Sequence, residues 1–553
     1  MHRENVKIVI IGGVAAGATA AAKARRENES AEITLLEKGH FISYANCGIP
    51  FYVGGIINNR KDLLHYSPES FADRFNTDVY INCEVISIER DTKIVNASYC
   101  GRNIKFPYDK LIIAIGANPV IPPIEGIKDV NYFFMRTVPD AEKVINFLKE
   151  KKPSSAIIIG GGYIGVETAE AMYHCGIKTT IVEALDMILP NYPYIFSKFI
   201  KDEMEKTGIL VKTGTLVKKV TTKGDKISIT LSTGELLDSE MLFVCAGIAP
   251  NVELAKNCGI SIDDLGAIKV DDHMKTSDQN IYAAGDAVSK VNLITGRKVL
   301  LPLAGPANRE GRIAGANAAG GNMRFPGVLG TSIVGFNTMV VAGTGLTYKQ
   351  AIKEGFDADF TYTINPQHVS YYPGAENIFL QVVFDKKNEK ILGAFAAGKV
   401  DVARKIDTLA TAIYGNIKVS DLGFIDYCYA PPFGNAKDNI NIAGYVAYDM
   451  VNSKCGSISP EEFLKVCKQN KNIQVLDVRN LDERKEERFE DSIHILLNEL
   501  RGMTQLLDKK KPVYAYCAVG YRGYLATKIL QQNGFDVYNI RGGLQAIKVC
   551  MQE

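Results

Sequence analysis

The sequence lacks the features that would direct it to a membrane, to a nucleic acid or to an oxidising compartment. No apolar stretch approaches the ~20 residues that a membrane-spanning helix requires, so no span is expected. No long basic run accompanies the formal net charge of +2 over 553 residues, which leaves nothing for electrostatic docking to nucleic acid or to a lipid surface. The eleven cysteines fall at irregular spacings, without a C-x-x-C pair or nearby histidine clusters. That pattern argues against a disulfide framework and against a structural zinc site, and no metal is expected. Solenoid repeats and low-complexity tracts are also missing. The first apolar run, Val6–Ile11, passes directly into Gly12-Gly13 rather than into a small-residue cleavage site, and reads as a strand instead of a signal peptide. The expectation is a cytoplasmic protein whose partners are small molecules.

What is present suffices for several packed cores. Apolar residues make up 46% and charged residues 23%, the proportions of an ordinary globular protein. At roughly 150 residues per domain, three or four units are expected.

Two segments repeat one pattern of apolar run, glycine cluster, alanine-rich helix, second apolar run and acid: VKIVIIGGVAAGATAAAKARR with ITLLEK, and SSAIIIGGGYIGVETAEAMYHCG with TTIVEA. Each describes a strand, tight turn, helix and strand, the βαβ unit that binds dinucleotides. A pyrophosphate must lie against bare backbone N–H groups at a helix N-terminus, so side chains are excluded there. Gly160, Gly162 and Gly165 supply all three positions in the second unit, with Glu183 about 20 residues on for the ribose hydroxyls. In the first unit Gly12 and Gly17 hold the outer positions, Val14 replaces the middle glycine, and Glu37 is the acid. Gly116 ends a further strand in KLIIAIGANPVIPP. Gly285 and Asp286 close another in TSDQNIYAAGDAV, before a helix of small residues, where Asp286 also suits a helix N-cap. Beyond Phe325, TMVVAGTGL and IFLQVVFD suggest an antiparallel sheet with helices. A short linker then leads to Ser459, which forms a capping box with Glu462 at the start of a separate small α/β unit.

Together these elements resemble the flavin-dependent pyridine nucleotide-disulfide oxidoreductase family, over the whole chain before the linker. The resemblance implies an α/β fold with two Rossmann-like dinucleotide-binding domains and an α+β dimerisation domain. Its expected boundaries are 1–113 and 247–325 for the two parts of the FAD-binding domain, 114–246 for the NAD(H)-binding domain and 326–450 for dimerisation. A linker at 451–458 and a separate small α/β domain at 459–553 follow. By motif, FAD falls to Gly12, Gly13, Ala15, Ala16, Gly17, Glu37, Lys38, Ala114, Gly116, Gly285, Asp286 and Ala287. The nicotinamide cofactor falls to Gly160, Gly162, Ile164, Gly165 and Glu183. Glu183, followed by Ala184 and Leu185 rather than an arginine, would repel a 2′-phosphate, so NADH is favoured over NADPH.

The C-x-x-x-x-C pair of glutathione-reductase-like members is missing. SYANCGIPFYVGG offers Cys47 alone and is similar to the single-cysteine branch, most closely to coenzyme A disulfide reductases, whose S-[FY]-A-N-C-x-x-P-[FY] signature is met from Ser43 to Phe51. Pro50 suits the first turn of a helix, which would put Cys47 at a helix N-terminus with a lowered thiol pKa. The resemblance implies that Cys47 forms a mixed disulfide with coenzyme A, the substrate supplying the second sulfur, and that a CoA persulfide would release hydrosulfide. Thr19, Lys23, Arg26, Ser43, Asn46, Asn308 and Lys437 are then the candidates to hold coenzyme A, although basic residues such as Lys23, Arg25 and Arg26 also complement a helix C-terminus without any ligand. Tyr371 and Tyr429, with Tyr372 and Tyr427 as close neighbours, match tyrosines that reach the partner subunit's active site in a homodimer and could protonate the departing thiolate.

In the last domain, KPVYAYCAVGYRGYLATKILQQNGF reads as a buried strand, a six-residue loop from Cys517 to Arg522, and a helix stopped by Gly534. This resembles the rhodanese active-site loop, C-x-x-x-x-R, and implies that Cys517 carries a persulfide beside Arg522. The usual G-H-I-x-G-[AS] segment is replaced by Arg488–Ser492, and the aromatic after Gly542-Gly543 is missing. Fusion of a sulfurtransferase to a reductase suggests a relay of sulfane sulfur to CoA or to Cys47, with the domain swinging on the linker near Cys455–Ser459. Two other functions fit parts of the pattern. One is an NADH oxidase or peroxidase cycling Cys47 through a sulfenic acid, though such enzymes carry a histidine in the first glycine turn where this chain has Ala15 and Ala16. The other is a sulfur carrier or redox sensor that turns over poorly.

Overall fold

A computed structural model describes residues 5–452 and 455–551; the expected linker falls partly outside these, at 453–454. The chain divides into two compact units. One reaches to Ile188 and resumes over Glu205–Leu329, and the other takes Leu189–Met204 and the described residues from Gly330 on.

The first unit contains both expected dinucleotide folds. Lys7–Ile11 lies at the centre of a five-stranded parallel sheet, with Glu32–Leu36 and Asp78–Tyr80 on one side and Lys110–Ile113 and Ile281–Ala283 on the other. Central strands of this kind are covered on both faces, which is why Ile8, Ile10, Leu35 and Leu111 are all fully buried and the sequence runs apolar without alternation. Each such side chain contributes about 1.5–3 kcal/mol. The strand order reverses between Lys7–Ile11 and Lys110–Ile113, and the crevice at such a switch point is where parallel sheets take ligands. The same plan recurs in a four-stranded parallel sheet ordered Leu210–Lys212, Lys178–Val182, Ser155–Ile159, Met241–Val244. Ala117–Pro119 and Ile248–Pro250 pair antiparallel beside each other, where the chain leaves one fold and returns. The strand closed by Gly285 and Asp286 is followed by a 3-10 turn, Gly285–Ala287, and a short strand pair; the small-residue helix begins later, at Ala304–Ala318.

In the second unit the region beyond Phe325 forms a five-stranded antiparallel sheet that includes Met339–Gly345 and Asn377–Asp385. The final domain is a five-stranded parallel sheet with Val513–Tyr516 in the middle. Its first helix, Pro460–Gln469, opens on the capping box of Ser459 and Glu462.

This domain does not hang free on its linker. Arg541, with 9% of its side chain exposed, donates to Asp359 Oδ1 at 2.7 Å and to the Phe360 carbonyl at 2.8 Å, and its guanidinium lies over the Phe360 ring. The same side chain bonds Ser457 Oγ at 3.1 Å, and Tyr524 donates to Asp449 at 2.7 Å. Gly542, with φ of +73°, presses against the Tyr362 ring so closely that a Cβ would lie 2.4 Å from it. The swinging expected from the linker would have to break this docked seam, and a desolvated arginine is costly to release without its carboxylate. Asp359→Ala should cost roughly 2 kcal/mol and speed proteinase K cleavage between residues 452 and 459 severalfold; unchanged cleavage would show that the seam does not depend on this pair.

Candidate active site

The two glycine turns owe their conformation to backbone crowding. Gly12 has φ of +99°, and a Cβ there would lie 2.3 Å from the Ala114 carbonyl oxygen, across the switch point. A Cβ on Gly17 would lie 1.7 Å from the Gly12 oxygen, so helix Ala15–Glu27 can start this close to the strand end only with glycine at both places. Gly160 and Gly165 repeat the arrangement, 2.4 Å from the Cys245 oxygen and 2.0 Å from the Gly160 oxygen. Gly162 differs: a Cβ there would meet nothing within 4 Å. The protein's own packing does not require that bare position, and it leaves room for a ligand against the N-terminus of helix Tyr163–His174, whose first turn begins with Tyr163 and Ile164.

Both acids are oriented by the turns they follow. Glu37 accepts from Gly13 N and Gly39 N at 2.7 Å each, and Glu183 from Gly161 N at 2.6 Å and Leu185 N at 2.8 Å. Neither helix has an acid in its first turn, and neither N-cap, Val14 or Gly162, makes a side-chain capping bond. These features fit one dinucleotide at each turn. Asp286 lies in the turn after Gly285, whose φ is +86°, with Ala287 fully buried behind it. Its carboxylate is an ion-pair partner of Arg136 at 3.4 Å rather than a helix cap. Arg136 also lies near Gly116, 3.8 Å from where its Cβ would be; no glycine or acid pattern marks this arginine in the sequence. Lys38 pairs with Glu84 at 2.6 Å on an open surface.

A pocket of about 220 Å³ brings together four of the residues expected to hold coenzyme A, Thr19, Ser43, Asn46 and Asn308, with Cys47, and Tyr44, His65 and Ala15 are also in its wall. Helix packing sets this up. Gly311 and Gly315 of helix Ala304–Ala318 would place Cβ atoms 2.2 Å from the Ala16 and Ala20 oxygens, so two backbones touch where only glycine fits. Asn308, one turn earlier, accepts the Thr19 hydroxyl at 2.7 Å as a result. Ser43 adopts φ of +46°, a left-handed conformation for a residue with a side chain, held by its N–H on the Gly13 oxygen at 2.8 Å. Lys23 and Arg26 do not line the pocket: Lys23 pairs with Glu27 at 2.6 Å, and Arg26 donates to the Ala22 oxygen. Lys437 is exposed in the second unit.

Cys47 is exposed at the pocket, in a 3-10 turn over Asn46–Gly48 that leads into the helix Ile49–Val53 with Pro50 in its first turn. The expected lowering of its pKa is not found. Burial of the thiol within the recess raises the pKa, the charges of Glu167 and Asp286 raise it further, and a backbone hydrogen bond offsets part of this. The helix is five residues long and its N-cap is Gly48, so few aligned peptides face the sulfur and the dipole is weak. Glu167 itself is pushed up to about 7 by burial and then by Glu170.

In the second unit Tyr371 and Tyr429 come together, hydroxyl to hydroxyl at 3.4 Å, and both are exposed. Tyr372 is exposed beside them, whereas Tyr427 turns its hydroxyl inward and burial pushes it up to about 12. Cys517 is 1% exposed at the end of strand Val513–Tyr516, where its sulfur accepts the Gly520 N–H at 3.1 Å. Gly520 has φ of +104° and caps helix Tyr521–Gln532, which carries Arg522. Where the usual histidine and glycine are missing, Phe489 N donates to Tyr516 Oη and Ser492 bonds the same hydroxyl, which in turn donates to Asp477 at 2.8 Å.

Residues 6–311 match the family model described as pyridine nucleotide-disulphide oxidoreductase, residues 331–439 its dimerisation domain, and residues 459–550 the rhodanese-like domain. The chain is 35% identical over 442 residues to the NAD(P)H sulfur oxidoreductase (CoA-dependent) of Pyrococcus abyssi, which covers 79% of this chain and 97% of that protein. It is similar to the solved structure of reduced Bacillus anthracis CoADR-RHD, with a TM-score of 0.97, 34% identity, and coverage of 100% of this chain and 99% of that one. A NAD-dependent persulfide reductase from A. fulgidus gives a TM-score of 0.92, 33% identity, and coverage of 97% and 99%.

Because Glu167 raises the Cys47 thiol, neutralising that acid should lower it. Glu167→Gln should shift the pH midpoint of Cys47 alkylation by iodoacetamide downward, with the cysteines followed separately by mass spectrometry; a midpoint that stays put or rises would remove Glu167 from the electrostatics of this sulfur.

Proposed function

Because the chain belongs to the pyridine nucleotide-disulphide oxidoreductase family and ends in a rhodanese-like domain, we propose that it is an FAD-dependent, NAD(P)H-using reductase of CoA disulfide, CoA persulfide or polysulfide. It works through Cys47, and its last domain handles sulfane sulfur at Cys517. The observation that carries this is the pocket in which Cys47 stands with Thr19, Ser43, Asn46 and Asn308; among the described residues no second cysteine lines it. A lone sulfur in such a recess must find its redox mate in the substrate.

The Cys47 thiolate attacks one sulfur of the substrate disulfide. A Cys47–S–S–CoA bond forms, the substrate's S–S bond breaks, and one CoA thiolate leaves with the electron pair. With a CoA persulfide the same bond forms and hydrosulfide leaves. The chemistry that FAD supplies when bound is relay of an electron pair from the nicotinamide cofactor to that mixed disulfide. Gly12, Gly17, Glu37 and Asp286 are the residues that would hold it, and Gly160, Gly162, Gly165 and Glu183 those that would hold the nicotinamide cofactor. Glu183 places a buried carboxylate at the strand end with both oxygens already oriented, which favours NADH over NADPH.

The dimerisation domain supports a homodimer, and so do the exposed rings of Phe424 and Phe433, at 75% and 73%. In that dimer the Tyr371–Tyr429 pair and Lys437 serve the partner's pocket. The hydrogen bond between the Tyr371 and Tyr429 hydroxyls raises the Tyr371 phenol above its ordinary value, so it holds the proton that a departing thiolate takes up. No disulfide joins the described cysteines, which suits a reducing cytoplasm.

Anaerobic stopped-flow reoxidation of the NADH-reduced protein by CoA disulfide, CoA persulfide, polysulfide and, separately, oxygen tests this reading. Cys47→Ser should keep its flavin and lose acceptor-driven turnover by roughly a thousandfold, about 4 kcal/mol. Undiminished turnover in that variant, or a faster reaction with oxygen than with any sulfur acceptor, would overturn the assignment.

A further inference from the structure

The arginines that flank the Cys517 loop are all engaged by carboxylates. Arg479 grips Asp477 through Nε at 3.1 Å and Nη2 at 2.9 Å, and Arg484 reaches the same carboxylate at 3.2 Å. Asp477 ends the strand that pairs with Val513–Tyr516, so this group lies beside the strand end that delivers Cys517. Arg522, from the first turn of the helix after the loop, places Nη1 on Glu483 Oε2 at 2.7 Å and Nη2 on Oε1 at 2.5 Å. Glu483 is fixed in turn by the backbone, since its Oε2 accepts Asn480 N at 3.0 Å in a capping box. Arg522 also reaches the Cys517 sulfur, but its hydrogen bond to Glu483 is the larger cause of its raised pKa. The loop thus presents a buried sulfur that accepts one backbone N–H at 3.1 Å, beside a guanidinium whose charge is already paired with the Glu483 carboxylate.

Such a loop suits some sulfur donors and not others. Thiosulfate brings two negative charges and must leave as doubly charged sulfite, which calls for an uncompensated cation. An organic persulfide carries at most one charge and leaves as a thiolate. We propose that Glu483 makes Cys517 selective for organic persulfides over thiosulfate by holding Arg522 in a closed bidentate pair. This rests on the reading of Cys517 as the nucleophile of the last domain. In the step concerned, the Cys517 thiolate attacks the outer sulfur of R–S–SH. A Cys517–S bond forms, the donor's S–S bond breaks, R–S⁻ leaves with the electron pair, and the transferred sulfur keeps its proton; no net oxidation occurs.

The test uses the full-length protein and follows by peptide mass spectrometry the rate at which Cys517 gains one sulfur from glutathione persulfide or from thiosulfate. The wild-type protein should react with the persulfide about a hundredfold faster than with thiosulfate. Glu483→Gln, which keeps an oxygen for the cap but removes the charge, should raise the thiosulfate rate about tenfold and change the persulfide rate less than about twofold. Glu483→Asp, which restores the charge, should return the donor ratio toward that of the wild type. Comparable wild-type rates with the two donors would overturn the proposal even if Glu483→Gln did not fold, and so would a Glu483→Gln protein whose donor ratio is unchanged. NADH-dependent reduction of CoA disulfide, measured on the same proteins, reports on the reductase reading separately: its loss would sink that reading and leave the donor ratio at Cys517 to be judged alone.

Discussion

Contact between bare backbones at the start of helix Ala15–Glu27 is the constraint on which the rest of the first unit depends. The helix meets the strand end at Gly12 through Gly17, and it meets helix Ala304–Ala318 through Ala16 and Ala20 against Gly311 and Gly315. No side chain fits at these crossings, so substitution there would move whole elements rather than one rotamer. Because the crossings hold the elements in register, Thr19 faces Asn308, and Ser43 is drawn over the Gly13 carbonyl into a left-handed conformation. The recess around Cys47 is the space left between these contacts.

The two sulfurs assigned to chemistry sit in opposite surroundings. Cys47 opens onto its pocket but has Glu167 and Asp286 as its charged neighbours, so the protein as described holds it protonated more firmly than a free thiol. Cys517 is buried, with a backbone N–H on its sulfur and an arginine beside it, but that arginine is already bound by Glu483. Among the described residues, the arginine beside Cys517 is paired with a carboxylate, and the charged neighbours that act on Cys47 are acids.

A docked seam joins the last domain to the antiparallel sheet. Arg541 and Tyr524 each bond across it to acids of the preceding region, and Gly542 rests on the Tyr362 ring. Movement of the last domain away from that sheet would have to release a desolvated arginine from its carboxylate.

Much of this was legible in the residues alone. The paired glycine turns, the acids after them, the lone Cys47, the Cys517–Arg522 loop and the Ser459 capping box are local patterns, each dictated by steric or hydrogen-bonding needs within a few neighbouring residues. What only the tertiary structure decided depends on residues distant in sequence. Arg136 reaches Asp286, Glu483 closes on Arg522, Arg541 finds Asp359, and Glu167 comes close enough to act on Cys47. A helix signal beside Pro50 predicted a lowered thiol pKa, but the pKa of a group depends on every charge and every layer of protein around it, and those are known only once the chain has folded.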